Sequence, residues 1–359
     1  MRVGIVGAGQ LGRMLAIAGY QLGIRSLFLD PDAESSGGQV GPVLVGAIND
    51  ATRMRELAGQ VDVVTFDIEN VPVEALEGAG SMSRICPPPP ALAVAQDRLS
   101  EKQLFEAIGI ATAPYVTVAG ADDLAKVGTQ LGWPVVLKAR RLGYDGRGQR
   151  LVRCAQELEP AWRDLGSVPA IAEAWIQFER EVSLIGVRGT DGSAAYYPLA
   201  ENVHDDGILH STSAPYVNDE LQREAERCLD AILRRFDYCG VLTVEFFVAD
   251  GRLVANEIAP RVHNSGHWTI EGAETSQFEN HMRAVLGLPL GSTNAIGHAY
   301  MINLLGSIPE REPLLSIPGL HLHDYGKSPR HLRKLGHCTL VGSDRETVLQ
   351  RAAAIRALL

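Results

Sequence analysis

Residues 239 to 267 read CGVLTVEFFVADGRLVANEIAPRVHNSGH. Val241, Thr243, Glu245 and Phe247 alternate with Leu242, Val244, Phe246 and Val248, which is the period of a β-strand. Asp250-Gly251 carries the chemistry of a tight turn, and Leu253 to Ile258 read as the return strand. The hairpin brings Glu245 and Glu257 together. A three-residue connection centred on Gly251 sets them directly opposite on one face, whereas a two-residue turn sets Asn256 opposite Glu245; the sequence leaves both registers open. Two converging carboxylates repel unless a cation lies between them, and Mg2+ takes one or two carboxylates together with phosphate oxygens. Taken alone, an acidic hairpin is usually just a solvated face. The loop that follows supplies Arg261, His263 and Asn264, cationic and amide groups suited to an anion.

With 359 residues the chain has room for two or three domains, and 46% hydrophobic content is ample for packed cores. The formal charge of -10 and the absence of long basic runs disfavour a nucleic acid or an anionic membrane as the main partner. Cys86, Cys154, Cys228, Cys239 and Cys338 are odd in number and have no CxxC spacing, so reduced thiols are expected, with neither a disulfide frame nor a zinc site. Met1 is followed at once by a predicted strand (Arg2 to Val6) rather than by a long apolar core, and no apolar run approaches a membrane span. The cytoplasm is the expected location.

From Met1 to about Pro90, short apolar strands (RVGIV, SLFLD, DVVTFD) alternate with helical stretches (Leu11 to Leu22, Asp50 to Ala58), the pattern of a Rossmann-like parallel sheet. The run Pro87 to Pro90 predicts an extended crossing and a domain boundary, because proline has no amide donor and a fixed φ. Beyond it come a helix over Leu99 to Ile108, a strand over Trp133 to Ala139, a long helix over Asn218 to Phe236, the acidic hairpin and a helix over Thr275 to Leu286. Short strands and a basic cluster, HDYGKSPRHLRKLGH at 323 to 337, follow. The fold class is α/β followed by α+β.

Three further motifs carry chemistry. Gly7-Ala8-Gly9-Gln10-Leu11-Gly12 joins a strand to a helix, with Asp30 ending the next strand where a dinucleotide-binding protein keeps its ribose acid. That turn suits any anion, so a phosphorylated ribose fits it as well as NAD does. Nothing downstream supplies hydride chemistry. Gly143-Tyr144-Asp145-Gly146-Arg147-Gly148-Gln149 lies just past Lys138, where loop amides and an ammonium can share one phosphate group. It is not a P-loop, since GxxxxGK[ST] is absent. Glu173-Ala174-Trp175-Ile176 followed by Glu181 offers apolar walls for an adenine and a carboxylate for ribose hydroxyls.

Lys138, GYDGRGQ, EAWI with Glu181, Glu245 and NEIAPRVHNSGH together resemble the ATP-grasp superfamily. GAGQLGRM at the start, FDIENV at 66 to 71, QDRLSEK at 96 to 102, GHWTIEGAETSQFENH at 266 to 281 and YGK...RKLGH near the end are similar to the 5-(carboxyamino)imidazole ribonucleotide synthase family, over essentially the whole chain. The resemblance implies a Rossmann-like domain at 1–97, an ATP-grasp domain at 98–295 with a lid at about 120–180, and a small β-rich C-terminal region at 296–359 packed on it. It implies an ATP site of Arg98, Lys138, Gly143 to Gln149, Glu173 to Ile176, Glu181, His204, Asn256 and Glu257, with Glu245 and Glu257 holding Mg2+ or Mn2+. Gln10, Leu11, Glu69, Tyr144, Asn264, Lys327, Arg333 and Lys334 would meet aminoimidazole ribonucleotide (AIR), and Arg261, His263, Lys327 and Asp145 would serve the chemistry. The implied reaction is ATP-dependent carboxylation of AIR with bicarbonate via carboxyphosphate, without biotin, in a homodimer. Three positions depart from the family's usual residues: Asp67 for Glu, Val262 for Pro, and Asp324 for an apolar residue. A different carboxylate-amine ligase, an NAD-dependent oxidoreductase and a non-catalytic nucleotide sensor are the competing readings.

Overall fold

A computed structural model describes residues 1–143 and 148–359. Tyr144, Asp145, Gly146 and Arg147, expected at the nucleotide or the imidazole, lie outside the described residues. The first of three sheets is parallel and contains β1 (Arg2–Val6), β2 (Arg25–Asp30), β3 (Val43–Val45), β4 (Val63–Phe66) and β5 (Arg84–Ile85), in the order β3-β2-β1-β4-β5. β1 and β4 are apolar almost throughout because helices cover both faces. The chain moves from β1 to β2 on one side and places β4 on the other, so the strand order reverses between β1 and β4. In such sheets the crevice beyond the C-terminal strand ends at the reversal is where ligands bind. Gln10 opens the helix Gln10–Gln21 just past β1, and Glu69 follows β4, so both stand at that crevice.

The second sheet is antiparallel, with β6 (Tyr115–Val118), β7 (Val135–Ala139), β8 (Gln149–Val152) and β9 (Ala170–Ala174) in the order β6-β9-β7-β8. Val135 and Leu137 of β7 and Ala170 and Ala172 of β9 pack on one face with Val127, Leu158 and Ala161 of the two covering helices. Strand alternation therefore turns Lys138 and Glu173 to the other face. Val136 pairs with Glu173 and Lys138 with Ile171, which makes Lys138 and Glu173 diagonal neighbours.

The third sheet holds β10 (Arg180–Arg188), β11 (Ala194–Tyr196), β12 (Ala200–Asp205), β13 (Ile208–Ala214), β14 (Gly240–Ala249), β15 (Arg252–Ala259), β16 (His298–Leu305), β17 (Leu320–Asp324) and β18 (Lys334–Gly342). Its path is β15-β14-β10-β12-β13-β16-β18-β17, with β11 beside β10. The last three strands thus extend the sheet that carries the acidic hairpin. The helix Asp219–Arg235, capped by the Asn218 side chain, packs Leu221, Ala225, Leu229 and Ile232 against it.

Two local expectations are corrected. The proline run does not stay extended: Pro89 and Pro90 open the helix Pro89–Ala95. First-turn amides have no intrahelical partner, so proline there forfeits no bond and its φ is already helical. The tail also contains a helix, Arg345–Arg356, capped by Asp344 and packed through Val348, Ala352 and Ile355.

The hairpin register combines both alternatives. Asp250 and Gly251 have φ of 50° and 70°, Ala249 pairs with Arg252, and the turn is the two-residue type. That register runs to Phe246 opposite Ala255, then shifts so that Glu245 faces Glu257. Asn256 is the extra residue of a β-bulge, and the bulge, not the turn, sets the carboxylates opposite each other.

Candidate active site

The carboxylates of the hairpin lie between the second sheet and the loop that follows β15. On the side of the second sheet, Lys138 Nζ donates to Glu173 Oε2 at 3.0 Å and to Asn256 Oδ1 at 3.4 Å. Lys102 Nζ reaches the same Glu173 oxygen at 3.3 Å and also donates to Thr112 Oγ1 and the Asn256 carbonyl. Burial alone would raise the Glu173 pKa, but the two ammonium groups outweigh it and hold the carboxyl below its ordinary value. Arg98 Nη1 donates to Glu257 Oε2 at 3.0 Å. Further along, Glu181 Oε2 lies 2.6 Å from His204 Nδ1; burial opposes protonation of that imidazole, yet Glu181 and Glu245 bring its pKa above the usual value.

Glu245 and Glu257 are driven apart electrically. Burial, with a contribution from the Glu257 charge, lifts Glu245 to about 7 despite the opposing effect of His204. Burial acts on Glu257 too, but Arg98 and Lys138 more than offset it and keep its pKa low. His263 Nε2 is 3.4 Å from Glu245 Oε1. Burial, then the charges of Arg261 and Lys334, push the His263 pKa well down, so the ring is neutral. The Ser265 amide donates to Nδ1, which places the proton on Nε2, facing the carboxylates.

On the other side a cavity of about 500 Å³ opens at the β1/β4 reversal, lined among others by Gln10, Leu11, Glu69, Arg98, Glu257, Arg261, His263 and Lys334. Arg261 Nη2 pairs with Glu69 Oε1 at 2.9 Å, and Lys327 Nζ donates to Gln10 Oε1. Asn264 also lines the cavity and exchanges hydrogen bonds with Asn303. Arg333 lies apart from the cavity lining and donates to the Ser328 carbonyl. Of the remaining predicted nucleotide residues, Gly143 lines the same cavity, Gln149 pairs with Lys138 across β7 and β8, and Trp175 is half exposed just past β9.

The glycine turn differs from its expected form. Asp67 Oδ2 accepts from the amides of Gly9 (2.8 Å) and Gly12 (3.0 Å), and a Cβ at Gly7 would collide with the Asp67 carboxylate. The helix terminus where a dinucleotide would seat its pyrophosphate is filled by the protein's own carboxyl group. Asp30 is likewise engaged within the protein, its Oδ2 accepting from Ala8 N. The turn's ligand-facing residues are therefore Gln10 and Leu11, not its amides.

Glu101 and Lys102 were not read as site residues, and Asp67 was noted only as a departure from the family's usual Glu. Arg98, Glu101, Lys102 and Phe105 recur at helical spacing on one face of the helix Arg98–Ala107, and that face is buried. A charged stripe in phase with Phe105 was the available signal. Glu101 Oε1 accepts from Ile258 N at 2.5 Å, and burial lifts its pKa to about 8.

No group of three or more His, Cys, Asp or Glu able to hold a metal occurs among the described residues. Two opposed carboxylates, one of them with its pKa raised by burial and by its neighbour's charge, instead fit a cation whose other ligands are phosphate oxygens and water. Among the described residues no helix is long and apolar enough to cross a membrane.

Comparison with known proteins agrees with this layout. Residues 1–96 match the ribonucleotide synthetase preATP-grasp domain, 103–278 the ATP-grasp domain, and 299–351 the phosphoribosylaminoimidazole carboxylase C-terminal domain. The chain is 46% identical to the N5-carboxyaminoimidazole ribonucleotide synthase of Pseudomonas aeruginosa, over 100% of this chain and 99% of the relative. It is 44% identical to the enzyme of that name from Brucella melitensis, over 94% and 96%. The crystal structure of N5-carboxyaminoimidazole ribonucleotide synthetase from Thermus thermophilus superposes with a TM-score of 0.95 at 47% identity, covering 99% of this chain and 98% of that one. An Aspergillus clavatus enzyme crystallised with ADP and 5-aminoimidazole ribonucleotide superposes with a TM-score of 0.93 at 33% identity, covering 99% and 98%. With a shared fold, site-bearing elements in the same order and identity at this level over its full length, the chain belongs to the N5-carboxyaminoimidazole ribonucleotide synthase family of ATP-grasp proteins.

Proposed function

We propose that the protein carboxylates the exocyclic amine of AIR with bicarbonate and ATP, giving N5-carboxyaminoimidazole ribonucleotide, ADP and phosphate in purine biosynthesis. The observation that carries this reading is that Glu257, Arg98, Arg261 and His263 line the crevice cavity, while Glu257 and Arg98 also interact with the Lys138–Glu173 pair on the other side. One set of side chains can serve a ribonucleotide on one side and a polyphosphate on the other. Glu69, Gln10 and Leu11 orient the ribose, while Lys327, Lys334 and Arg333 draw in its phosphate. Asn264 is a further substrate contact, and Tyr144 and Asp145, outside the described residues, are assigned to the imidazole and its amine by the family resemblance alone. We assign the ATP ribose hydroxyls to Glu181, the adenine to the main chain of Glu173 to Ile176, and the phosphates to Gly143 to Gln149.

Mg2+ held by Glu245 and Glu257 would neutralise charge on the transferring phosphate. A bicarbonate oxygen attacks the γ-phosphorus, the bond to the β-phosphate oxygen breaks, and Lys138 balances charge on the carboxyphosphate formed. That anion hydrolyses quickly in water, so the second sheet closes over it as a lid. Arg261 pairs with the carboxyphosphate and the neutral Nε2–H of His263 donates to it, until the amine bonds to the carboxyl carbon and phosphate leaves, taking up the proton that the amine gives up. We divide the chain at residues 97 and 295 into three domains, with the lid at about 120–180, and place the enzyme in the cytoplasm as a homodimer. ADP release measured with bicarbonate and AIR each omitted in turn tests the reading. Dependence on both is expected; turnover without AIR would point to a different ligase, and ATP binding without turnover to a sensor.

A further inference from the structure

Lys102 is only 1% exposed and is tied to three elements at once. Its Nζ donates to Thr112 Oγ1 at 2.8 Å, donates to the Asn256 carbonyl at 3.2 Å, and pairs with Glu173 Oε2 at 3.3 Å. Lys138 Nζ sits on that same oxygen at 3.0 Å, so two ammonium groups share one carboxylate that is itself 3% exposed. A single buried carboxylate needs one counter-charge, and the second is surplus in this arrangement. Glu173 Oε1 is buried with no hydrogen-bond partner, which confirms that both cations have gathered on one oxygen rather than dividing the carboxylate between them.

The surplus has a use if one lysine must leave. Stripping a buried carboxylate of its only cation is strongly unfavourable, so a lysine that is sole partner to Glu173 would stay where it is. Lys102 is held by two other oxygens from Thr112 and Asn256, and it rises from a helix. Lys138 has Glu173 and a long contact to Asn256 Oδ1, and it faces the groove. We propose that Lys102 is a positioning residue that keeps Glu173 neutralised, so that Lys138 can turn from Glu173 to the phosphate of the incoming nucleotide. Its grip on the carbonyl of Asn256 also pins the bulge that sets Glu257 opposite Glu245. The proposal rests on the ATP-dependent reading of this groove.

The test uses the full chain and MgATP as probe, with binding read by calorimetry and turnover by ADP release. Lys102→Met leaves Lys138 as the sole partner of Glu173, so ATP affinity is expected to fall by at least about tenfold while the KM for AIR stays within about twofold. Adding Glu173→Gln removes the carboxylate that captures Lys138 while keeping the main chain assigned to the adenine, and the double variant is expected to regain most of the lost ATP affinity. A purely structural role predicts the opposite, since a second buried change adds damage. A double variant that folds by thermal melt yet binds ATP no better than Lys102→Met overturns the proposal. If Lys102→Met does not fold, the double variant, in which Lys138 keeps Asn256 Oδ1 as an acceptor and is free to meet the nucleotide, still decides: near wild-type ATP affinity supports the proposal and loss of binding refutes it. Wild-type chain is run alongside. Absence of MgATP binding there would sink the functional reading, whereas wild-type binding without rescue sinks only the role of Lys102.

Discussion

The glycine turn after β1 and the acidic hairpin of β14 and β15 both look, in sequence, like places to hold phosphate, and the fold treats them in opposite ways. At the turn, the amides of Gly9 and Gly12 are already bonded to Asp67, which arrives from the end of β4. At the hairpin, a bulge at Asn256 turns Glu257 toward Glu245, and burial together with the Glu257 charge raises the pKa of Glu245. The glycine pattern specifies a backbone path and says nothing of what fills the space beside it. The hairpin pattern specifies side chains, and their chemistry survives whatever the turn does.

The hairpin half of that contrast is the easiest to break. Glu257→Gln removes the acid that remains ionised and is expected to lower turnover by about 10³ or more, because charge neutralisation at the transferring phosphate is worth several kcal/mol. The melting transition should persist, since the amide oxygen that replaces the carboxylate can still accept from Arg98 Nη1. ADP release at the wild-type rate in this variant would remove the metal assignment. Arg261→Ala and His263→Ala are expected to cost about 10²–10³ in turnover with near-normal ATP affinity, the mark of a group that acts on the reacting anion. Glu69, whose pKa burial already raises, can take up a proton when Arg261 is absent, so the loss should not be structural. Parallel loss of ATP affinity and activity would move either residue to the nucleotide site.

The turn half is tested by stability rather than rate. Asp67→Ala leaves the amides of Gly9 and Gly12 without an acceptor in a buried site and is expected to destabilise the chain by about 1–3 kcal/mol in urea unfolding. NADH should bind neither wild type nor variant, while AIR binding persists in wild type. NADH binding to wild type would show that the turn does admit a dinucleotide despite Asp67.

What was legible in sequence follows the same division. Local patterns singled out Lys138, Glu173 and both hairpin acids, whereas Gln10, Leu11 and Glu69 came from the family resemblance, and it is the strand order of the folded sheet that brings those three to one crevice. The bulge was not legible: neither turn length alone produces the observed pairing, and a bulge is set by what packs beside it, here the Asn256 carbonyl held by Lys102. Lys102 and Glu101 were missed because a charged pair on a helix normally faces water, and only the neighbouring sheets reveal that this face is buried. The helix at Pro89 was missed because a proline run excludes a helix interior but not its first turn.

The smallest expected effect is also the most specific to the hairpin. Burial raises the Glu245 pKa from its ordinary 4.5 to about 7. A raised pKa means that the folded chain holds this proton more tightly than the unfolded one, so its contribution to stability is complete below about 4.5 and is lost as the pH rises through about 7. A cation between Glu245 and Glu257 needs the ionised form, so MgATP binding must expel whatever proton remains. At pH 7 about half of the molecules carry it, and release of about 0.5 proton per site is expected, rising to about 0.9 at pH 6 and vanishing by about pH 8.5. Calorimetry in buffers of differing ionisation enthalpy measures this number directly. Glu101, lifted to about 8, also holds a proton, but it bonds the Ile258 amide and does not face its carboxylate partner across the hairpin. Glu245→Gln separates the two: release that disappears in this variant belongs to the hairpin, and release that persists unchanged would place the missing charge elsewhere and dissolve the contrast between an occupied turn and a hairpin awaiting its cation.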